Sequence, residues 1–175
     1  MKSIYILLLS IVFASSFTSC KVTKDKVSKK EKQQYINGFY QELKEDFPDA
    51  EITLIQDSIK VIFPDNIMFD VGSAVWKKTF FEKLIRFSTL FNKYEKTNLL
   101  ITGHTDNTGE GVDNDRLSKF RADNVKLKMI EYKVLKERLF VWGMGARQPL
   151  TENKTEEGKA RNRRVEFVVM YQPRH

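Results

Sequence analysis

From residue 51 to residue 171, runs with an apolar residue at every second position alternate with longer segments whose apolar residues recur every three or four. Period two sends side chains to alternate faces of a strand; a period near 3.6 gathers them on one stripe of a helix. Glu51–Gln56 and Ser58–Phe63 read as short strands forming a hairpin, and Pro64 and Asp65 break the second. Asn66–Val71 reads as extended or loop and ends in Phe69-Asp70. Trp76–Tyr94 has the pattern of an amphipathic helix with Phe80, Leu84, Phe87 and Phe91 on one face and Phe81 and Ile85 beside them. That phenylalanine stripe is a core face. Asn98–Gly103 is an apolar strand, followed by a loop from His104 to about Asp113. Asp115–Lys133 is a second helix with Ala122, Val125 and Met129 on its buried side. Leu139–Met144 is a further strand, Gln148–Lys159 is polar and irregular, and Arg164–Tyr171 is a closing strand with Val165, Phe167 and Val169 on one face. Strands alternating with helices give an α/β layer structure. The expectation is a two-layer α/β sandwich, with a mixed sheet of about four strands and two long helices on one face.

Upstream of this domain, Ile36, Phe39, Tyr40, Leu43 and Phe47 make another helical stripe, ended by Pro48. Packing on the following domain is expected of it, with a partner-binding helix as the alternative. Residues 21–32 hold six lysines against Asp25 and Glu31 and almost nothing apolar, the composition of a solvated tether. At the start, Lys2 precedes an apolar run of eleven residues, Ile4 to Ala14, too short to cross a bilayer. Small residues then lead to Cys20, the only cysteine. This is the layout of a secretory signal peptide, and Cys20 falls where cleavage would leave it first. A lone cysteine makes no internal disulfide. Phe17-Thr18-Ser19-Cys20 resembles a lipobox, departing from the usual pattern at Phe17, so lipidation at Cys20 is expected; a plain secretory signal with an incidental cysteine is the alternative. The expected division is thus a signal peptide at 1–19, a lipidated cysteine, tether and short helix at 20–50, the domain at 51–171, and a tail at 172–175. The formal charge is +7, and a product starting at Cys20 would carry +6, a surplus that suits an acidic partner.

The informative stretch is Gly103-His104-Thr105-Asp106-Asn107-Thr108-Gly109, followed by Asn114, Leu117-Ser118 and Arg121-Ala122. Asp106 stands just past the end of a buried strand, where ligands gather in α/β sheets. Asp113 or Asn114 can cap the next helix. Spacings of three and four put Asn114, Leu117 and Arg121 on one helical face, beside the buried stripe. A carboxylate at a strand end beside a guanidinium on the next helix makes a two-point site. It suits a ligand with an ammonium and a carboxylate on one carbon: Asp106 takes the ammonium, Arg121 takes the carboxylate through its planar fork. Thr108 and Asn114 can add neutral hydrogen bonds. On spacing alone, a plain Asp106–Arg121 salt bridge that orders the loop explains the same residues equally well.

These segments, with others, resemble the OmpA-like peptidoglycan-binding domain, the module also found in Pal lipoproteins and MotB-type stator proteins. The likeness covers roughly residues 51–171 and is carried by Phe69-Asp70, the Gly103–Gly109 loop, Asn114 with Leu117-Ser118 and Arg121-Ala122, Gly143-Met144-Gly145 with Pro149, and Asn153-Lys154-Thr155, Gly158, Ala160 and Asn162-Arg163-Arg164-Val165-Glu166. Each piece is weak, but five in order at normal spacing are specific. The resemblance implies peptidoglycan as ligand, through the diaminopimelate unit of its stem peptide. It implies Asp106 and Arg121 as principal ligand residues and Asp70, Thr108, Asn114 and Arg163 as supporting ones. Arg164 is assigned to the outer face of its strand. It also implies a protein lipid-anchored through Cys20 in the outer membrane, facing the periplasm and tethering that membrane to the wall.

Other classes fit less well. Glycosidases want two suitably separated carboxylates, and an arginine neighbour would hold Asp106 ionised. No second His or Cys stands at metal-ligand spacing from His104, which is read as ordering its loop; no metal or cofactor is expected. No nucleic-acid partner is expected, since the chain is exported and shows no stacking motif. A scaffold for envelope proteins is the alternative function, with the 36–47 helix or the basic tether as the recruiting element.

Overall fold

Helix α1, Lys29–Asp46, starts where Ser28 and Glu31 close a capping box: the Glu31 backbone N–H donates to Ser28 Oγ (3.2 Å) and the Ser28 N–H donates to a Glu31 carboxylate oxygen (2.8 Å). These bonds satisfy N–H groups that a helix start leaves without partners. The cap turns the last four residues of the expected tether into helix. The structure, a computed structural model, describes residues 28–64, 68 and 77–172. The expected signal segment, Cys20, the first part of the tether, Asp70 and the last three residues lie outside the described residues.

After α1 come β1 (Glu51–Ile55), β2 (Ser58–Pro64), α2 (Lys78–Lys93), β3 (Thr97–His104), α3 (Gly111–Glu131), a 3-10 turn at Lys136–Arg138, β4 (Leu139–Gly143), α4 (Glu156–Asn162) and β5 (Arg164–Tyr171). The five strands form one mixed sheet in the order β1-β2-β5-β3-β4. β3 and β4 run parallel, with Gly103 opposite Gly143; the other neighbours are antiparallel, with His104 opposite Arg164 and Phe63 opposite Val165. The parallel pair needs a crossover, which α3 supplies.

The class and layering are those expected of the sequence, with two differences. The sheet has five strands rather than about four, because both arms of the β1–β2 hairpin join it. A third long helix, α1, joins the two expected, since Ile36, Phe39, Leu43 and Phe47 are buried in the same core as Phe80, Phe87, Phe91, Val125, Val165 and Phe167. α1 packs against β1 and β2, where Phe47 joins Phe63 of β2 beside Phe80 and Phe87 of α2. Phe39 stacks on Tyr94 (centroids 4.2 Å apart, planes 5° apart), whose hydroxyl donates to Glu42 (2.8 Å). Salt bridges Arg86–Asp46 and Lys83–Asp49 line the same seam.

The element bounds also shift. α3 begins at Gly111, so neither Asp113 nor Asn114 caps it; the cap position is Glu110, with no side-chain bond. The region expected to be irregular contains α4, capped by Thr155 Oγ1 accepting from the Gly158 N–H (3.1 Å). α3 lies against the backbone of β3 and β4. A Cβ on Gly103 would collide with the Ser118 carbonyl, and one on Gly143 would lie 2.7 Å from the Lys119 nitrogen. These two glycines permit the close approach that brings the start of α3 to the ends of both strands.

Candidate functional site

Past the end of β3 the chain is stitched to the turn after β4. The Thr105 N–H donates to the Gly145 carbonyl (3.0 Å), and the Met144 N–H to the Gly103 carbonyl (2.9 Å). The Ser118 hydroxyl of α3 accepts from the Gly145 N–H (2.9 Å), locking the helix to the same turn. Asp106, 7% exposed, occupies the resulting corner. One of its carboxylate oxygens accepts from the Thr108 N–H (2.8 Å), the other from the Arg163 guanidinium (2.8 Å). Gly109 then turns at a φ of 85° into α3. Asn114 lies inside the first turn of α3 rather than at its cap, and its side-chain amide donates to the Thr108 carbonyl (3.1 Å). Two turns on, Arg121 is 2% exposed.

Arg163 stands between α4 and β5, the strand paired with β3, and is placed by its neighbours. Asn162, fully buried, accepts from the Leu150 and Thr151 N–H groups (2.7 and 3.1 Å) and donates to the Thr151 carbonyl and Asn153 (2.8 Å each). Arg164 lies on the sheet face opposite the helices, as expected, but it is buried rather than solvated. Its guanidinium donates to Glu166 (2.8 Å) and to the carbonyls of Asn162 and Gln148. Glu166 also takes Lys60 (2.8 Å). Buried charges need such pairing, and the cluster holds the 148–163 segment onto the start of β5.

A cavity of about 380 Å³ opens at this corner. It is lined by Asp106, Thr108, Asn114, Arg121 and Arg163, together with Thr105, Leu117, Glu156 and Lys159. Every expected site residue among those described is therefore brought together. The direct ion pair of Asp106 differs from the one weighed on spacing: it is with Arg163, which the pairing of β5 with β3 brings to the corner. Sequence reasoning assigned no role to Glu156, Lys159 or Asn162. The signal for α4 was present in Thr155 followed by Glu156 and Glu157, with Lys159 and Arg161 in the last turn, the arrangement a helix dipole favours.

Burial alone would raise the Asp106 carboxyl, but the bonds from Arg163 and Thr108 outweigh it and hold the group below its ordinary value. Asp106 is an anion at neutral pH, aimed into a cavity that also carries Arg121, Arg163 and Lys159. His104 behaves differently. It is 1% exposed, and neither ring nitrogen has a hydrogen-bond partner among the described residues. Burial, helped by Arg164, pushes its pKa down to about 4. The folded protein thus keeps it neutral, while the unfolded chain protonates it below its ordinary 6.5, so stability falls as pH drops from 6.5 toward 4. The expected loss across that window is about 3 kcal/mol. About 2 kcal/mol of it falls between pH 7 and pH 5, read as the urea midpoint at those two values; His104→Phe is expected to flatten that dependence, and an unflattened curve would place the proton elsewhere. Among the described residues, no group of three or more His, Cys, Asp or Glu is arranged to hold a metal.

The sequence profile of the OmpA family matches residues 68–163, more than half the chain. The chain belongs to the OmpA family. The match takes in β3, α3, β4 and α4, the elements that build the cavity; α1 and β1 lie outside it. The Escherichia coli protein named "Probable lipoprotein YiaD" is 37% identical over 120 residues, which are 69% of this chain and 55% of that protein. The chain spans about half the length, or less, of the curated relatives it matches. Among solved structures, a MotB-like protein from Desulfovibrio vulgaris is similar at a TM-score of 0.71 and 25% identity, covering 82% of this chain and 98% of that one. The cell wall anchor of the T6SS from Pseudomonas aeruginosa is similar at 0.65 and 27% identity, covering 78% and 97%. This OmpA-family chain thus shares its fold with proteins of bacterial envelopes.

Proposed function

We propose that the protein binds peptidoglycan non-covalently, taking the diaminopimelate unit of the stem peptide into the cavity beyond β3. The observation that carries this reading is the meeting of one ionised carboxylate, Asp106, with the guanidinium groups of Arg121 and Arg163 in a single cavity of about 380 Å³. Diaminopimelate within the wall offers an ammonium and a carboxylate on one carbon. Asp106 accepts from the ammonium, and Arg121 grips the carboxylate with paired N–H donors. Arg163, bonded to Asp106, keeps that carboxylate ionised and oriented. Thr108 and Asn114 hold the rim, and Asp70, outside the described residues, is assigned a supporting place. An Asp held below its ordinary pKa is a poor proton donor, which suits a binding module better than a hydrolase.

The same reading makes Cys20 the lipid anchor and the outer membrane, on its periplasmic side, the location. The signal-like first residues and the lipoprotein and outer-membrane relatives support it. Each single contact is weak, but a membrane-held domain meets many equal sites at high effective concentration.

The test is co-sedimentation of residues 21–175 with purified diaminopimelate-type sacculi, with Arg121→Ala alongside. Pelleting of the parent and loss of most of the variant is the expected outcome. Equal pelleting of both means that the basic surface binds and the cavity does not. If neither pellets, the fold serves as a scaffold for envelope proteins instead.

A further inference from the structure

The domain has two poles. β3 has eight residues and at its His104 end meets the cavity; a strand of that length spans about 26 Å. At its Thr97 end lie the start of α1, the β1–β2 turn and the connection from α3 to β4. They are tied together there. The Gln33 side chain donates to the Gln56 carbonyl (3.3 Å), Lys32 pairs with Asp57, and the Lys96 N–H donates to the Tyr35 hydroxyl (3.0 Å). Arg138 donates to the Thr97 and Tyr94 carbonyls (2.8 and 2.7 Å).

The two poles use their charges differently. At the cavity end most basic side chains are engaged, Arg163 with Asp106, Lys159 with Glu156, Arg147 with Asp115, Lys119 with Asp123 and Arg161 with Glu51, while Arg116 is exposed with no ion pair among the described residues. At the far pole Lys29, Lys30, Lys96 and Lys133 are exposed, and among the described residues no ion pair joins any of them to a carboxylate. Of the carboxylates there, Asp57 is taken by Lys32 and Glu137 lies 4.0 Å from Lys136, while Glu31, which closes the helix cap and feels the charge of Lys96, and Glu95 remain against the four lysines. Lys29 and Lys30 sit in the first turn of α1, where the helix dipole disfavours cations, so local structure gives no reason for them. Two aliphatic side chains stand on the same pole half exposed: Ile55 on the hairpin and Leu135 two residues after Lys133. A polar groove of about 720 Å³ runs between Lys29, Gln33 and Gln56.

We propose that this pole, presenting Lys29, Lys30, Lys96 and Lys133 around Ile55 and Leu135, docks on an anionic phospholipid surface. Lysines near such a surface are drawn to its phosphates, and exposed aliphatic side chains enter the headgroup boundary. The chain supplies the geometry. Residue 29 is nine residues from Cys20, a reach of at most about 30 Å, so the pole from which the N-terminal segment leaves is the one an anchor would hold against lipid. That orientation rests on the Cys20 anchor proposed above; the surface chemistry does not. Docking turns the cavity away from the membrane, toward the wall.

Among the described residues every buried core residue lies between Ile36 and Val169, all within residues 21–175. This fragment, without lipid, is mixed with vesicles of phosphatidylethanolamine and phosphatidylglycerol, and with vesicles of phosphatidylcholine alone. Co-sedimentation with the first and not the second is expected, weakening with salt. Each lysine is expected to be worth roughly fivefold, so the combined Lys29→Gln, Lys30→Gln, Lys96→Gln, Lys133→Gln variant loses about two orders of magnitude or more of vesicle binding and keeps its sacculus binding. Arg121→Ala does the reverse, which separates failure of this surface from failure of the cavity. The idea is overturned if the parent ignores anionic vesicles, if the quadruple variant binds them like the parent, or if that variant loses the wall and keeps the vesicles.

Discussion

Asp106→Ala is expected to weaken binding of a diaminopimelate-containing wall fragment by about 2–5 kcal/mol, the range for removing one member of a hydrogen-bonded charge pair at an interface. That is roughly a thirtyfold to several-thousandfold loss, large enough that a weak single-site interaction becomes undetectable in titration calorimetry. The size follows from the surroundings. Asp106 is almost fully buried, and its two oxygens are already oriented by Thr108 and Arg163. Removing the carboxylate also takes away the acceptor of the Arg163 bond and the negative charge that draws an ammonium into this corner. Asp106→Asn separates the two contributions. It keeps the acceptor for the Thr108 N–H but not the charge, so most of the affinity loss is expected to persist while the urea midpoint stays near that of the parent. An Asp106→Asn protein that binds as the parent does would show that the carboxylate orders the loop and takes no part in recognition.

Much of this corner was legible before the structure, and the reason is local. Asp106, Thr108, Asn114 and Arg121 lie within sixteen residues on one strand-loop-helix unit, and helical periodicity fixes which of them share a face. What sequence spacing does not encode is which guanidinium reaches a carboxylate from a distant part of the chain. Arg163, 57 residues from Asp106, arrives through the pairing of β5 with β3, where His104 stands opposite Arg164. The same register buries Arg164 and Glu166 on the face that simple alternation assigns to solvent; their ion cluster with Lys60 repays that burial. α4 escaped notice because its seven residues bury only Asn162, so no apolar period exists to find; its evidence is in the cap and the charges. The start of α3 was misplaced for a related reason. Asp and Asn are the usual caps, but the helix begins at Gly111, four residues before the expected Asp115 and without a side-chain cap, which puts Asn114 inside it with its amide donating to the Thr108 carbonyl.

Phe39→Ala is expected to destabilise the domain by about 3–5 kcal/mol, the cost of removing a large aromatic side chain from a packed core. This is the sharpest test of where the domain begins. The apolar stripe of α1 is legible and is expected to pack on the domain, with a partner-binding helix as the alternative, although the boundary is set at residue 51. Packing decides between these. Phe39 is fully buried, stacked on Tyr94 and 6.4 Å from the ring of Phe91, and Phe47 meets Phe63 and Phe87 at 5.7 and 6.0 Å. The aromatic contacts add to the area term, and an ordinary domain has only about 5–15 kcal/mol in hand. The expected readout is a large drop in urea midpoint in one transition, with probes on α1 and on the sheet melting together. If α1 were a detachable partner-binding arm, Phe39→Ala would instead loosen the helix alone, leave the midpoint of the sheet unchanged, and speed hydrogen exchange only between residues 29 and 46. Deleting residues 28–47 extends the argument. Phe63, Phe87, Phe91 and Tyr94 would lose their cover at once, and a continuous exposed aromatic surface of that kind is expected to aggregate. A soluble, monomeric deletion product would mean that the domain is complete without α1.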